Sequence, residues 1–121
     1  KRIFMMKEII IVVLVAFFMF ASSIKLLGWQ KLIFETQLKF FKKYGLNRQV
    51  MFVVGLIELS GAILLSVFLA FAAPIWTLWV GAGLIAVTSL GAIVFHLRFD
   101  RWQDGIPATA TLLLSVYVLL N

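Results

Sequence analysis

The sequence contains no cysteine, one histidine and five acidic residues, and charged residues make up 13% of its 121 positions. Without cysteine the chain can form no disulfide, bind no iron–sulfur cluster through thiolates and carry out no thiol redox chemistry. One histidine and so few acids leave no His-rich set for the three protein ligands of a catalytic zinc ion. A haem held by two histidines is excluded as well, whereas a tetrapyrrole held through His96 alone stays open. We therefore expect no enzyme that works on its own.

Apolar residues are what the sequence has in excess, at 64% of the chain with a mean hydropathy of +1.10. Soluble domains are about half apolar and about a quarter charged, and a chain this short has too little interior to hide the surplus. The composition predicts an integral membrane protein in a lipid bilayer. The net charge of +6 does not indicate a nucleic-acid partner, because the basic residues flank the apolar runs, where they meet lipid headgroups.

Four apolar runs predict membrane spans, since a spanning helix needs about 20 mostly apolar residues. The fourth run, residues 106–120, is short, so it either includes residues 102–105 or lies in a thinner membrane. The four runs predict an all-α protein, a transmembrane four-helix bundle forming one domain over residues 1–121. The predicted spans are residues 8–28, 50–72, 74–97 and 104–120. Pro74 stands where the third helix begins, a position that proline favours, so the second and third spans should form an antiparallel hairpin.

Residues 29–45 follow a different pattern and predict an amphipathic helix in the membrane interface, between spans one and two. Helical spacing groups the apolar residues of this stretch on one face and its charged residues on the other. Such a helix lies at the headgroups, or packs across the mouth of the bundle. The apolar set is Trp29, Leu32, Ile33, Phe40, Phe41 and Tyr44, and the charged set is Lys31, Glu35, Lys39 and Lys42.

The orientation follows from basic residues, which are enriched in cytoplasmic loops. The loop side of the predicted bundle carries seven and the terminal side carries three. This excess favours loops in the cytoplasm. The loop set is Lys31, Lys39, Lys42, Lys43, Arg48, Arg98 and Arg101, and the terminal set is Lys1, Arg2 and Lys7.

Three ionisable residues converge in one half of the bilayer when the spans are threaded antiparallel. Lys25 lies near the end of span one, Glu58 near the middle of span two and His96 near the end of span three. Ionisable groups inside a membrane usually face the bundle interior and find partners, so we predict a polar cluster and a Glu58–Lys25 contact. Arg98 and Arg101 are rival partners for the carboxylate. Alternatively, Lys25 extends to the headgroups and His96 is an interfacial residue.

Small residues recur along spans two and three and predict close packing of these helices. The repeats are Ala62, Ser66 and Ala70, and Ala82 and Ala86, with Gly55, Gly61, Gly81, Gly83, Ser89 and Gly91 nearby.

Five short motifs follow one another along the chain: residues 23–26 (SIKL), 43–46 (KYGL), 55–62 (GLIELSGA), 90–98 (LGAIVFHLR) and 106–108 (IPA). Their order and spacing resemble the DoxX-like family of small four-helix membrane proteins. The resemblance covers nearly the full chain and includes Lys25, Glu58 and His96 as the polar positions of such proteins. It implies a bacterial inner membrane as the location.

The resemblance implies association with other membrane proteins more than a shared reaction. Our first functional hypothesis is an accessory or assembly subunit of a membrane complex, with a polar pocket built by Lys25, Glu58 and His96 beside Arg98. The second is a redox-associated subunit whose pocket binds a quinone, the one cofactor that we consider. In that case His96 or Lys25 would bind a carbonyl and Glu58 would exchange a proton. A carrier of protons or small molecules is the third hypothesis.

Overall fold

Five α-helices are present in this computed structural model, which describes the backbone of residues 2–121 and the side chains of residues 6–121. The all-α prediction is confirmed. The helices, with one 3₁₀ turn, are α1 (Arg2–Leu27), α2 (Lys31–Lys43), α3 (Arg48–Phe71), α4 (Ile75–Phe99), the turn Trp102–Gly105 and α5 (Ile106–Leu120). Lys1 and the side chain of Arg2, counted above on the terminal side, lie outside these described residues.

The helix ends follow local capping chemistry, which apolar pattern alone does not fix. Asn47 caps α3 by accepting a hydrogen bond from the Val50 amide at 3.0 Å, so α3 begins two residues before the predicted span. The side chain of Gln30 caps α2 in the same way, through the Ile33 amide at 2.9 Å. The fourth predicted span divides into the 3₁₀ turn and α5, with Pro107 in the first turn of α5.

A glycine with positive φ lies on each side of α2. Gly28 has a φ of 64° and Gly45 a φ of 81°, values in the left-handed region that other L-residues adopt only with strain. The Gly28 amide donates to the Ile24 carbonyl at 2.7 Å and closes α1. The predicted helix 29–45 is therefore shorter in the structure, because Trp29 and Gln30 belong to the connection. The helix itself is observed between these two turns.

The spanning helices pack as a ring in chain order. α1 contacts α3, α3 contacts α4 and α4 contacts α5, while α1 and α5 meet along a looser seam. The backbones of α3 and α4 approach closely, because a Cβ atom added at Gly61 would lie 3.0 Å from the Gly81 carbonyl oxygen, and the reverse also holds. The predicted close packing of these two helices is thus observed, and it depends on these glycines.

The interior differs between the two ends of the bundle. Its apolar core occupies the terminal half, which holds the start of α1, the α3–α4 hairpin and the end of α5. In the loop half, each spanning helix also buries a polar side chain, and the two charged ones both lie there. The apolar core consists of Ile11, Leu14, Phe18, Ala62, Leu65, Leu78, Ala82, Ile85 and Val118, and the polar residues are Lys25, Glu58, Ser89 and Thr111.

The outer surface suits a lipid environment. Within the described residues, four segments are long and apolar enough to cross a membrane: Met6–Leu27, Arg48–Phe71, Ile75–Phe99 and Trp102–Leu120. Exposed tryptophans lie near both ends of the bundle, with Trp29 and Trp102 at the loop end and Trp76 and Trp79 at the hairpin end. Tryptophan is enriched at both membrane–water interfaces, so the two levels indicate where the headgroups lie.

Candidate functional site

Lys25 and Glu58 form an ion pair between α1 and α3. Lys25 Nζ lies 3.0 Å from Glu58 Oε1, and only 10% and 9% of the two side chains are exposed. The close approach depends on Gly55, one turn before Glu58, because a Cβ atom there would lie 2.9 Å from the Lys25 Cβ. The contact predicted from sequence is present, and Arg98 and Arg101, the rival partners, do not take part in it.

The pair is incompletely satisfied. Glu58 Oε1 meets the distance for an ion pair but makes no hydrogen bond of acceptable geometry within residues 6–121. The side-chain oxygen of Gln37, on α2, is also buried there without a hydrogen-bond partner. Buried polar atoms usually have partners. Two buried acceptors without hydrogen bonds therefore indicate a site that can accept further donors, such as water or a ligand.

A cavity of about 440 Å³, here called the main cavity, lies between α2, α3 and α4 and reaches the ion pair. Its polar lining includes Lys25, Glu58, Gln37 and His96, and the aromatic residues of its lining are Phe40, Phe41, Tyr44 and Phe95. Its volume falls within the ~300–1,000 Å³ of typical ligand pockets. The main cavity can thus hold a molecule with a flat apolar body and a few polar groups.

His96 lines the main cavity, but its own partners are on the loop side. His96 Nδ1 lies 2.9 Å from Asp100 Oδ2 and 3.1 Å from the Tyr44 hydroxyl. Because the Asp100 carboxylate accepts hydrogen bonds, Nδ1 is the nitrogen that carries the proton, and Nε2 is the acceptor in the neutral ring. Lys25, Glu58 and His96 therefore line one cavity, with His96 on a separate hydrogen-bond network.

Asp100 is the centre of that network. Lys43 Nζ lies 2.5 Å from Oδ1, the Tyr44 hydroxyl donates to Oδ2 at 2.5 Å, and 1% of the Asp100 side chain is exposed. Burial raises the pKa of Asp100, but the hydrogen bonds from Lys43, Tyr44 and His96 outweigh this effect and lower the pKa to about 2. Burial and the bond to Asp100 raise the pKa of Tyr44 above its usual range. The network fastens the end of α2 to the end of α4.

Sequence reasoning missed Tyr44, Asp100 and Gln37 as site residues. His96 and Asp100 are four residues apart and so share a helix face, which was an available signal for their contact. Tyr44 had been assigned only to an apolar face. Arg98, by contrast, had been predicted near the site. It is exposed, its guanidinium lies 5.3 Å from the Phe99 ring centroid, and it does not line the main cavity.

A second cavity, of about 240 Å³, adjoins the first beside α1, α4 and α5. The two cavities share six lining residues, which therefore form the partition between them: Gln37, Phe40, Glu58, Thr88, Ala92 and His96. Asp104, Ser89 and Thr111 line the second cavity alone. Glu58 is thus accessible in principle from two directions.

Comparison with known proteins identifies a family model that matches this chain. No curated protein and no solved structure matches this chain. The model of the DoxX-like family matches residues 9–119 and so includes all four spans, the ion pair and both cavities. The chain therefore belongs to the DoxX-like family and is a membrane protein.

Proposed function

We propose that this protein is an accessory or assembly subunit of a larger membrane complex, and that the main cavity is the part through which it acts. The observation that carries the proposal is the Lys25–Glu58 pair, 3.0 Å apart at the wall of a cavity of about 440 Å³. The cavity would receive a polar side chain of a partner or a lipid-soluble molecule held for the complex. On this view, the chain does not catalyse a reaction on its own.

The energetics of the ion pair support a role beyond stability. Removing two charges from water costs several kcal/mol per ion, and apolar residues of similar size often serve stability as well or better. Here the apolar core of the terminal half already joins all four spanning helices. A charged pair at the wall of a cavity is therefore better explained by recognition than by packing.

The position of α2 belongs to the same proposal. The charged residues Lys31, Glu35, Lys39 and Lys42 are exposed, while Gln37, Phe40 and Phe41 line the main cavity. We place α2 in the interface of a bacterial inner membrane, on the cytoplasmic side, as the excess of basic residues on the loop side favours. The main cavity then lies beneath the cytoplasmic leaflet, where a partner reaches it from within the membrane.

Co-purification with a matched pair of variants tests the accessory role. A Cβ atom added at Gly91 or at Gly83 meets nothing within 4 Å, but only Gly91 lines the main cavity. We expect the tagged protein, purified in mild detergent, to retain a stoichiometric membrane partner. Gly91→Leu should reduce the recovery of that partner, whereas Gly83→Leu should not. Equal recovery from both variants, or no partner under any mild condition, would contradict the proposal.

Quinone binding is the second candidate, favoured by the combination of aromatic and polar groups around the main cavity. The rings of Tyr44 and Phe95 stack with centroids 4.9 Å apart, and Lys25 lines the same space and could donate to a carbonyl. We expect a quinone to be extracted with the purified protein, and to be lost in Gly91→Leu but kept in Gly83→Leu. Protein that purifies without quinone from quinone-rich membranes would exclude this candidate.

A further inference from the structure

Polar side chains make up about half of the lining of the second cavity. Seven of its thirteen lining residues have polar side chains: Gln37, Glu58, Thr88, Ser89, His96, Asp104 and Thr111. A groove between α1 and α3 in the terminal half has one, Ser66, among six lining residues. Water occupies a cavity when it finds two to four polar partners there. The second cavity offers such partners and the groove does not.

The polar residues of the second cavity extend from the loop side into the membrane. Asp104 lies in the 3₁₀ turn that precedes α5 and is half-buried. Deeper along the cavity, Ser89 and Thr111 join α4 to α5 through hydroxyl oxygens 2.6 Å apart. Glu58 lies ten residues into α3, which corresponds to ~15 Å of depth at 1.5 Å per residue. The polar lining of the cavity therefore extends about two and a half helical turns beyond the level at which α3 begins.

The lining of the second cavity includes two buried acceptors. Glu58 Oε1, which is paired with Lys25 at 3.0 Å, and the Gln37 side-chain oxygen make no hydrogen bond of acceptable geometry in the described part of the chain, and both residues line this cavity. The helices that flank it, α1 and α5, meet along the loosest seam of the ring. A polar lining, two such acceptors and a loose flank all suit an aqueous content.

We propose that the second cavity is an aqueous vestibule, a binding site for water and small hydrophilic solutes that reaches from the loop side to the Glu58 carboxylate. This inference does not depend on the accessory role. It means that the carboxylate meets water from the side of α5 and meets the content of the main cavity from the side of α2. A molecule in the main cavity can then exchange protons with water through Glu58, although both lie beneath the headgroups.

Cysteine accessibility tests the vestibule directly, because the natural chain has no cysteine. Thr111→Cys places a thiol in the second cavity. Ser115→Cys places one a turn further along the same helix, at a site that is 0% exposed and lines neither cavity. The reagent is a cationic, membrane-impermeant methanethiosulfonate, applied to protein in sealed vesicles from the loop side. The thiol at Thr111 should react at least ~10-fold faster, because the thiol at Ser115 reacts only when the packing opens locally.

Thr111→Cys also removes the hydrogen bond between Ser89 and Thr111, so a second cysteine position serves as a control. Ala108→Cys removes no side-chain hydrogen bond and also lines the second cavity, so it should react at least as fast as Thr111→Cys. If only a lipid-soluble maleimide labels these two thiols, the cavity opens to lipid and the proposal is wrong. If the two thiols resist both reagents, or if Ser115→Cys reacts as fast with the cationic reagent, the proposal is equally wrong.

Discussion

Lys25 and Glu58 carry opposite charges within a membrane-spanning bundle, and each side chain compensates the charge of the other. Gly55 provides the space in which α1 and α3 approach closely enough for the contact. Breaking a buried ion pair on one side leaves an uncompensated charge, whereas removing both charges leaves none. The pair can therefore be tested by comparing single and double substitutions.

Glu58→Gln should destabilise the protein by ~3–5 kcal/mol, the usual cost of leaving one buried charge unpaired. Glu58→Gln combined with Lys25→Met should be more stable than Glu58→Gln alone. Thermal unfolding in detergent measures both, with Lys25→Met completing the double-mutant cycle. Equal melting temperatures for the single and double variants would show that the two charges do not interact.

Asp100 makes the stability of the loop side depend on pH. Its folded-state pKa of about 2 lies below the ordinary value of 3.8. A depressed pKa contributes stability above the ordinary value, and that contribution is lost as the pH falls through the folded value. The melting temperature should thus fall between about pH 4 and pH 2. At pH 5, Asp100→Asn should have a lower melting temperature than the natural protein. At pH 2, the two melting temperatures should be nearly equal. A constant difference at both pH values would contradict this assignment.

The hairpin of α3 and α4 depends on the contact between Gly61 and Gly81. A Cβ atom at Gly61 would lie 3.0 Å from a backbone oxygen and 3.1 Å from the Ile85 side chain. A backbone oxygen cannot move aside as a flexible side chain can, so α3 and α4 would have to separate.

Gly61→Ala should therefore cost ~1–3 kcal/mol, as overpacking of a filled interior does. Gly83→Ala is the matched control, since its added methyl group meets nothing within 4 Å. Alanine is the better helix former, so this variant should be as stable as the natural protein or slightly more stable. Equal unfolding free energies for the two variants would show that α3 and α4 do not approach closely at Gly61.

Helix α2 contrasts with that hairpin, because none of its residues is fully buried. Its end is held to the bundle by the bonds of Lys43 and Tyr44 to Asp100. Segments with few buried contacts open locally at low cost. We expect faster amide hydrogen exchange in α2 than in α3, and a further increase in α2 alone in Asp100→Asn. Exchange mass spectrometry measures both, and an increase spread evenly over α2 and α3 would contradict this reading.

Across the whole molecule, apolar run length was sufficient to predict the four spans, because three runs match the thickness of the bilayer and the fourth reaches 19 residues with the turn that precedes α5. Antiparallel threading was sufficient to bring Lys25 and Glu58 into the same half of the bundle, although Lys25 lies two residues from the end of α1 and Glu58 ten residues into α3. The Asp100 network could not be found in this way. It joins the ends of α2 and α4, and their placement depends on two glycine turns and on tertiary packing. The sequence also did not predict that Arg98 is exposed. The position of a residue along a span gives its depth but not the side of the helix on which it lies.

The two glycine turns at Gly28 and Gly45 also divide the molecule mechanically. Both have positive φ, a conformation in which other residues are strained, so the two short connections of α2 depend on glycine. None of the residues of α2 is fully buried, whereas the apolar core lies toward the hairpin end of the bundle. A displacement of α2 would therefore change the shape of the protein at the loop end, and the hairpin end would keep its outline for any neighbour bound there.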